Sequence, residues 1–168
     1  GFYLAKLDIR QHRERHHLAV NEIFKKLKLH TPDYINLNDK EKAEILSQEI
    51  DSLRPVIPHY LKFSQDTIET LSIFKKLAAA RTEISPDCFG SYIISMTRGV
   101  SDLLAVQLLA KEAGLCGESS NYKYYSYVDI VPLFETINDL RRSHIIIEEL
   151  FNNSTYIKNI KARNNIQE

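Results

Sequence analysis

The stretch from Leu103 to Ala113 limits the fold more than any other part of the chain. Leu103, Leu104, Ala105, Val106, Leu108, Leu109 and Ala110 leave almost no polar side on a helical projection. A helix at a domain surface carries one apolar stripe and one polar face. This one has no polar face to offer water, so other parts of a large structure must cover it. Ser101 and Asp102 can cap its start, and Gly114 is its natural stop. Just upstream, residues 89–96 (Phe-Gly-Ser-Tyr-Ile-Ile-Ser-Met) read as a strand, β-branched and aromatic at its centre.

Two further strands flank this pair. Residues 3–9 alternate, with Leu4, Lys6, Asp8 and Arg10 on one face and Tyr3, Ala5, Leu7 and Ile9 on the other, and Arg10 stands at the end. Residues 127–136 form the third run. Ile130, Val131, Leu133 and Phe134 are apolar around Pro132, which suggests a buried strand delivering Glu135 to its C-terminal edge. Ligands bind at that edge in α/β folds, because strand ends and the loops after them converge there. Glu135 suits a hard cation such as magnesium, or simply the positive end of the next helix dipole. Arg10 suits a phosphate or carboxylate gripped by its guanidinium, or an ordinary surface ion pair. Arg98, after the middle strand, has the same two readings.

Helices fill the intervals. Residues 11–29 are amphipathic, with Leu18, Val20 or Ile23, Phe24 and Leu27 inward. His12 and His16 stand at the i,i+4 spacing of zinc helices, but Arg13 follows His12 where such motifs place a glutamate. A polar helix start beside an anion site fits that stretch better. A loop at 30–38 precedes a helix at 39–53 with Ala43, Ile45, Leu46 and Ile50 inward, closed by Pro55 and Pro58. Ser64 or Asp66 starts a helix to about Arg81, with Asp66 and Glu69 spaced as a capping box and Ile68, Leu71, Phe74 and Leu77 inward. Residues 116–126 read as an exposed loop or hairpin-like insertion. Thr136 caps a helix at 138–151 with Leu140, His144, Ile147 and Leu150 inward, and a short helix at 156–163 comes last.

Connections of this length imply parallel strands with right-handed crossovers, which would bring Arg10, Thr97-Arg98 and Glu135 to one edge. The expected fold class is α/β, part of a βα barrel of the TIM type with a heavy helical jacket. Balanced charge, 22 basic against 22 acidic residues, gives no general field for nucleic acid. No run is long and apolar enough to span a membrane. Cys88 and Cys116 form no disulfide framework, which suits a reducing cytoplasm. The 168 residues open without Met and stop without a tail signal, so the expected domain is a single partial one, an internal segment of a much larger chain.

Leu7-Asp8-Ile9-Arg10-Gln11, Tyr92-Ile93-Ile94-Ser95-Met96, Ser101-Asp102-Leu103-Leu104-Ala105-Val106 and Pro132-Leu133-Phe134-Glu135-Thr136 stand in the order seen in phosphoenolpyruvate carboxylases. The linking stretches Arg54-Pro55 and Lys111-Glu112-Ala113-Gly114 do too. The chain resembles that family over essentially its whole length. The resemblance implies a large βα-barrel enzyme, a cytoplasmic homotetramer that joins bicarbonate to phosphoenolpyruvate, giving oxaloacetate and phosphate with magnesium or manganese. By position, Glu135 looks like one of two metal-binding carboxylates, and Arg10 like the arginine on the substrate's phosphate. Arg98 occupies a position that varies in the family and inherits no role.

The resemblance also implies that no catalytic residue lies in this segment. The family's catalytic histidine would precede Gly1, and the second metal carboxylate would come after Glu168. The segment alone is therefore expected to be inactive. Two rival readings use the same residues differently. Another metal-dependent βα-barrel lyase acting on a pyruvate enolate would keep the roles of Arg10 and Glu135. A non-enzymatic helical interaction module would dock through residues 103–113 and hold Arg10 and Glu135 far apart.

Overall fold

The computed structural model describes residues 6–30, 33–58 and 60–167. In chain order the elements are β1 (Leu7–His12), α1 (Arg13–Leu27), a 3-10 turn (Tyr34–Asn36), α2 (Asp39–Asp51), α3 (Gln65–Glu83), β2 (Phe89–Ser95), α4 (Val100–Glu112), β3 (Cys116–Glu118), β4 (Tyr124–Ser126), β5 (Asp129–Pro132), α5 (Ile137–Asn152) and α6 (Ser154–Ala162). This is a mixed α/β fold, rich in helix, with one small parallel sheet among the described residues.

Both pairings in that sheet are parallel, in the order β1-β2-β5. Arg10 pairs with Ile93 and Ile93 with Val131, so the three strand ends lie side by side. The connection from β1 to β2 runs through α1, α2 and α3. The one from β2 to β5 runs through α4 and the antiparallel hairpin β3–β4. Pro132 has no N–H, and the next residue takes over the ladder: Leu133 N donates to Ile94 O at 3.0 Å.

The core is built round α4, whose residues 100–110 are all buried. It meets α1, α2, α3 and α5 as well as β3 and β5, as its lack of a polar face requires. Leu103, Leu104, Leu108 and Leu109 are among its fully buried side chains, each contributing about 1.5–3 kcal/mol. The polar residues at its end serve as ties. Glu112 accepts from Val56 N at 3.0 Å and Ile57 N at 2.8 Å, and Lys111 Nζ donates to Glu49 O at 2.7 Å and to Ser52 O. The chain leaving α2 is thereby fastened to the end of α4.

Several local expectations need correction. Tyr3, Leu4 and Ala5 lie outside the described residues, and Arg10 sits inside β1 because pairing with β2 continues to His12. Helix α1 then starts at Arg13, with His12 Nδ1 accepting from Glu14 N at 3.2 Å. Leu18, Ile68, Leu140 and His144 point outward. Their helices bury neighbouring faces: Val20, Ile23 and Phe24 in α1, Leu71, Phe74 and Leu77 in α3, Ile146 and Leu150 in α5. Ser64 caps α3, so Asp66 and Glu69 form no capping box there. The run from Val131 to Phe134 is only half-buried, where a buried strand was expected.

Candidate functional site

Arg10 and Glu135, 125 positions apart, form an ion pair through Arg10 Nη2 and Glu135 Oε1 at the C-terminal edge of the parallel sheet. Parallel pairing brings β1 to that edge. Glu135 is positioned by the helix start next to it: Thr136 Oγ1 accepts from Asp139 N at 3.1 Å and donates to Asp139 Oδ2 at 2.6 Å, fixing the beginning of α5. The side chains are 56% and 30% exposed, so the pair faces solvent.

The loop after β2 holds the other carboxylate oxygen. Met96 adopts the left-handed conformation, with φ of 59°, and its N–H donates to Glu135 Oε2 at 3.0 Å. Such a conformation is uncommon for a residue with a side chain and is kept where the surroundings enforce it. Here Thr97 does the enforcing. It is fully buried, donates from N to Leu133 O at 3.1 Å and from Oγ1 to Ile94 O at 2.8 Å, and so stitches the loop to the end of β5.

Beneath the loop lies a buried polar network centred on Asp102. Its Oδ2 accepts from Arg98 N at 2.7 Å and Gly99 N at 3.1 Å. Its Oδ1 accepts from Arg13 Nε at 2.9 Å and His17 Nε2 at 2.7 Å, and His17 Nδ1 meets the Tyr34 hydroxyl at 2.8 Å. Burial alone would push the Asp102 carboxyl upward. The His17 hydrogen bond, the His17 and Arg13 charges and the Arg98 amide outweigh it and hold the group below the usual carboxylate range. A second carboxylate, Asp39 of α2, accepts from Val100 N at 3.1 Å and Ser101 N at 3.2 Å, satisfying the first amides of α4. Gly99 is required there: a Cβ would overlap the Asp39 carboxylate.

The histidines divide by environment. His12 caps α1 at the surface, whereas His16 is buried with Nε2 on the Tyr92 hydroxyl at 2.8 Å, so the two hold no common ion. Burial lowers the His16 pKa to about 3, with the nearby His17 adding to the effect. Among the described residues, no three or more His, Cys, Asp or Glu side chains are grouped to hold a metal. Glu135 is one carboxylate at a solvent-facing edge. That fits one protein ligand of magnesium, which characteristically takes one or two carboxylates and completes its shell with water and substrate phosphate. Arg98 is exposed at the same edge, and its backbone N–H is committed to Asp102.

The family model described as phosphoenolpyruvate carboxylase matches residues 1–168. The chain belongs to the phosphoenolpyruvate carboxylase family. Similar curated relatives carry that name in Gloeobacter violaceus (39% identical over 168 residues) and Roseiflexus castenholzii (40% over 168 residues), each covering 100% of this chain. A third, from Prochlorococcus marinus, is 42% identical over 158 residues, covering 94% of it. The chain spans 18%, 17% and 15% of those relatives' lengths, less than a fifth of a carboxylase.

The chain thus brings together Arg10 and Glu135, the two residues singled out in the sequence. The Asp102 network was not foreseen. Asp102 was legible only as a helix cap, and His17 and Tyr34 not at all, because His17 reaches Asp102 from a helix 85 positions away and is itself bonded to Tyr34 in a 3-10 turn inside a loop. The docking role offered for residues 103–113 is not supported, since residues 103–110 are buried in the core.

Proposed function

We propose that the protein to which this segment belongs carboxylates phosphoenolpyruvate with bicarbonate, giving oxaloacetate and phosphate, and that this segment supplies part of its site. One observation carries the reading: in a chain matched by the family model over 1–168, the guanidinium of Arg10 and the carboxylate of Glu135 meet at the C-terminal edge of parallel strands. Arg10 binds the phosphate end of phosphoenolpyruvate, where its planar donors match phosphoryl oxygens two at a time. Glu135 contributes one carboxylate to a magnesium or manganese ion. When bound, that ion offsets negative charge on the phosphate and enolate oxygens. Met96 N–H holds one oxygen of Glu135 and Arg10 the other, and this carboxylate is the one that would hold the cation. Thr97 keeps the strand ends together so that both groups face the same substrate.

The order β1-β2-β5, with every pairing parallel and long helical connections between, fits one sector of a βα barrel closed by the rest of the enzyme. The complete protein works as a cytoplasmic homotetramer. The segment alone supplies one metal carboxylate, Glu135, and one substrate-binding arginine, Arg10, and is inactive.

The test is Glu135→Ala in the full-length protein, assayed for bicarbonate-dependent oxaloacetate formation and metal dependence. The carboxylase reading predicts loss of turnover by about a hundredfold or more. Unchanged turnover overturns it. Phosphoenolpyruvate consumption that does not require bicarbonate points instead to another lyase of the same barrel type.

A further inference from the structure

We propose that Asp102 is a positioning residue for the metal site: it joins α1 to the loop at 96–99 and through that loop fixes the Glu135 carboxylate. The inference rests on the carboxylase reading and extends it to residues that touch neither substrate nor metal.

The connection runs bond by bond. Arg13 and His17 lie on α1, which continues directly from the strand that carries Arg10. Both donate to Asp102 Oδ1, and the other oxygen, Oδ2, takes the amides of Arg98 and Gly99. Those residues close a loop whose first residue, Met96, donates to Glu135, and whose second, Thr97, bonds to Leu133. One fully buried carboxylate therefore ties together the structural supports of all three strand ends. Outer partners of this kind orient a ligand and raise its affinity for metal.

The chemistry of the carboxylate suits the task. With two oxygens that only accept, it can receive two donors from α1 on one side and two from the loop on the other. An amide in its place keeps one acceptor oxygen and presents an NH2 group to the opposite donors. Asp102→Asn thus retains the shape of the side chain and breaks one half of the connection. Asp39 of α2 provides the control, because it is also a carboxylate bonded to the start of α4, yet its bonds go to Val100 and Ser101 and not to the loop that holds Glu135. A purely structural role in capping α4 would make the two residues equivalent.

The experiment measures Mn2+ binding to the full-length protein by electron paramagnetic resonance of the free ion, without turnover, alongside thermal midpoints. Asp102→Asn is expected to weaken Mn2+ binding by about tenfold or more, and Asp39→Asn by less than about twofold, though both lower the thermal midpoint. If Asp102→Asn does not give folded protein, His17→Leu, which has no donor for Asp102 Oδ1, replaces it. That substitution leaves the Arg98 and Gly99 bonds in place, and the expected weakening exceeds that of Asp39→Asn. Equal effects from the loop-linked and control variants, or no effect of the loop-linked one, overturn the proposal. A wild-type protein that binds no Mn2+ and makes no oxaloacetate overturns the carboxylase reading itself. A wild type that does both, with Mn2+ binding unchanged in the Asp102 variant, overturns only the positioning role.

Discussion

At the residue scale, the guanidinium of Arg10 and the imidazole of His16 show how environment assigns work to a side chain. Arg10 is half-exposed at the strand edge, where a planar fork can hold a phosphate. A lysine keeps its charge and loses the paired donors. Arg10→Lys in the full-length protein should therefore raise KM for phosphoenolpyruvate by about tenfold or more, as steady-state kinetics will show. His16 works differently, because burial holds its pKa at about 3 against an ordinary 6.5. Between those values the unfolded chain binds a proton that the folded chain refuses. The group's contribution is intact above the ordinary value and is lost as pH falls toward 3. At about pH 5 the gap of roughly 1.5 units corresponds to about 2 kcal/mol. Urea midpoints measured from pH 7 down to pH 5 should fall accordingly, and His16→Gln should flatten most of that decline.

At the element scale, α4 decides both stability and site geometry. Leu104→Ala removes a side chain enclosed on all sides and should lower unfolding free energy by about 2–5 kcal/mol. Gly99→Ala puts a methyl against the Asp39 carboxylate that holds the first turn, and about 1–3 kcal/mol of destabilisation is expected. Thermal or urea unfolding checks both. Most elements were legible because their signals are local: apolar spacing, Thr136 as a cap, Gly114 after α4, and the Tyr- and Ser-rich turn of the hairpin. The facing of Leu18, Ile68 and Leu140 was not. A helix with apolar residues on two sides has two admissible orientations, and neighbours distant in sequence choose between them. The same distance hid Tyr34, which is fully buried within a stretch that reads as loop, and the bond from His17 to Asp102.

At the scale of the whole molecule, the parallel order β1-β2-β5 turns three separated strand ends into one edge, and Arg10 and Glu135 were legible as a pair because Arg10 follows an alternating strand pattern and Glu135 follows an apolar run. Among the described residues the sheet has three strands, and under the proposed function it would be one sector of a larger barrel whose remaining parts complete the site. Purified alone, the 168-residue segment should form no oxaloacetate from phosphoenolpyruvate and bicarbonate in a coupled assay. The most direct test of the central claim is an anomalous-scattering map from crystals of the full-length protein grown with Mn2+ and phosphoenolpyruvate. The account predicts a manganese peak about 2 Å from a Glu135 carboxylate oxygen, with the Arg10 guanidinium on the phosphate beside it. Manganese bound elsewhere, with Glu135 still holding only Arg10 and Met96, would contradict it.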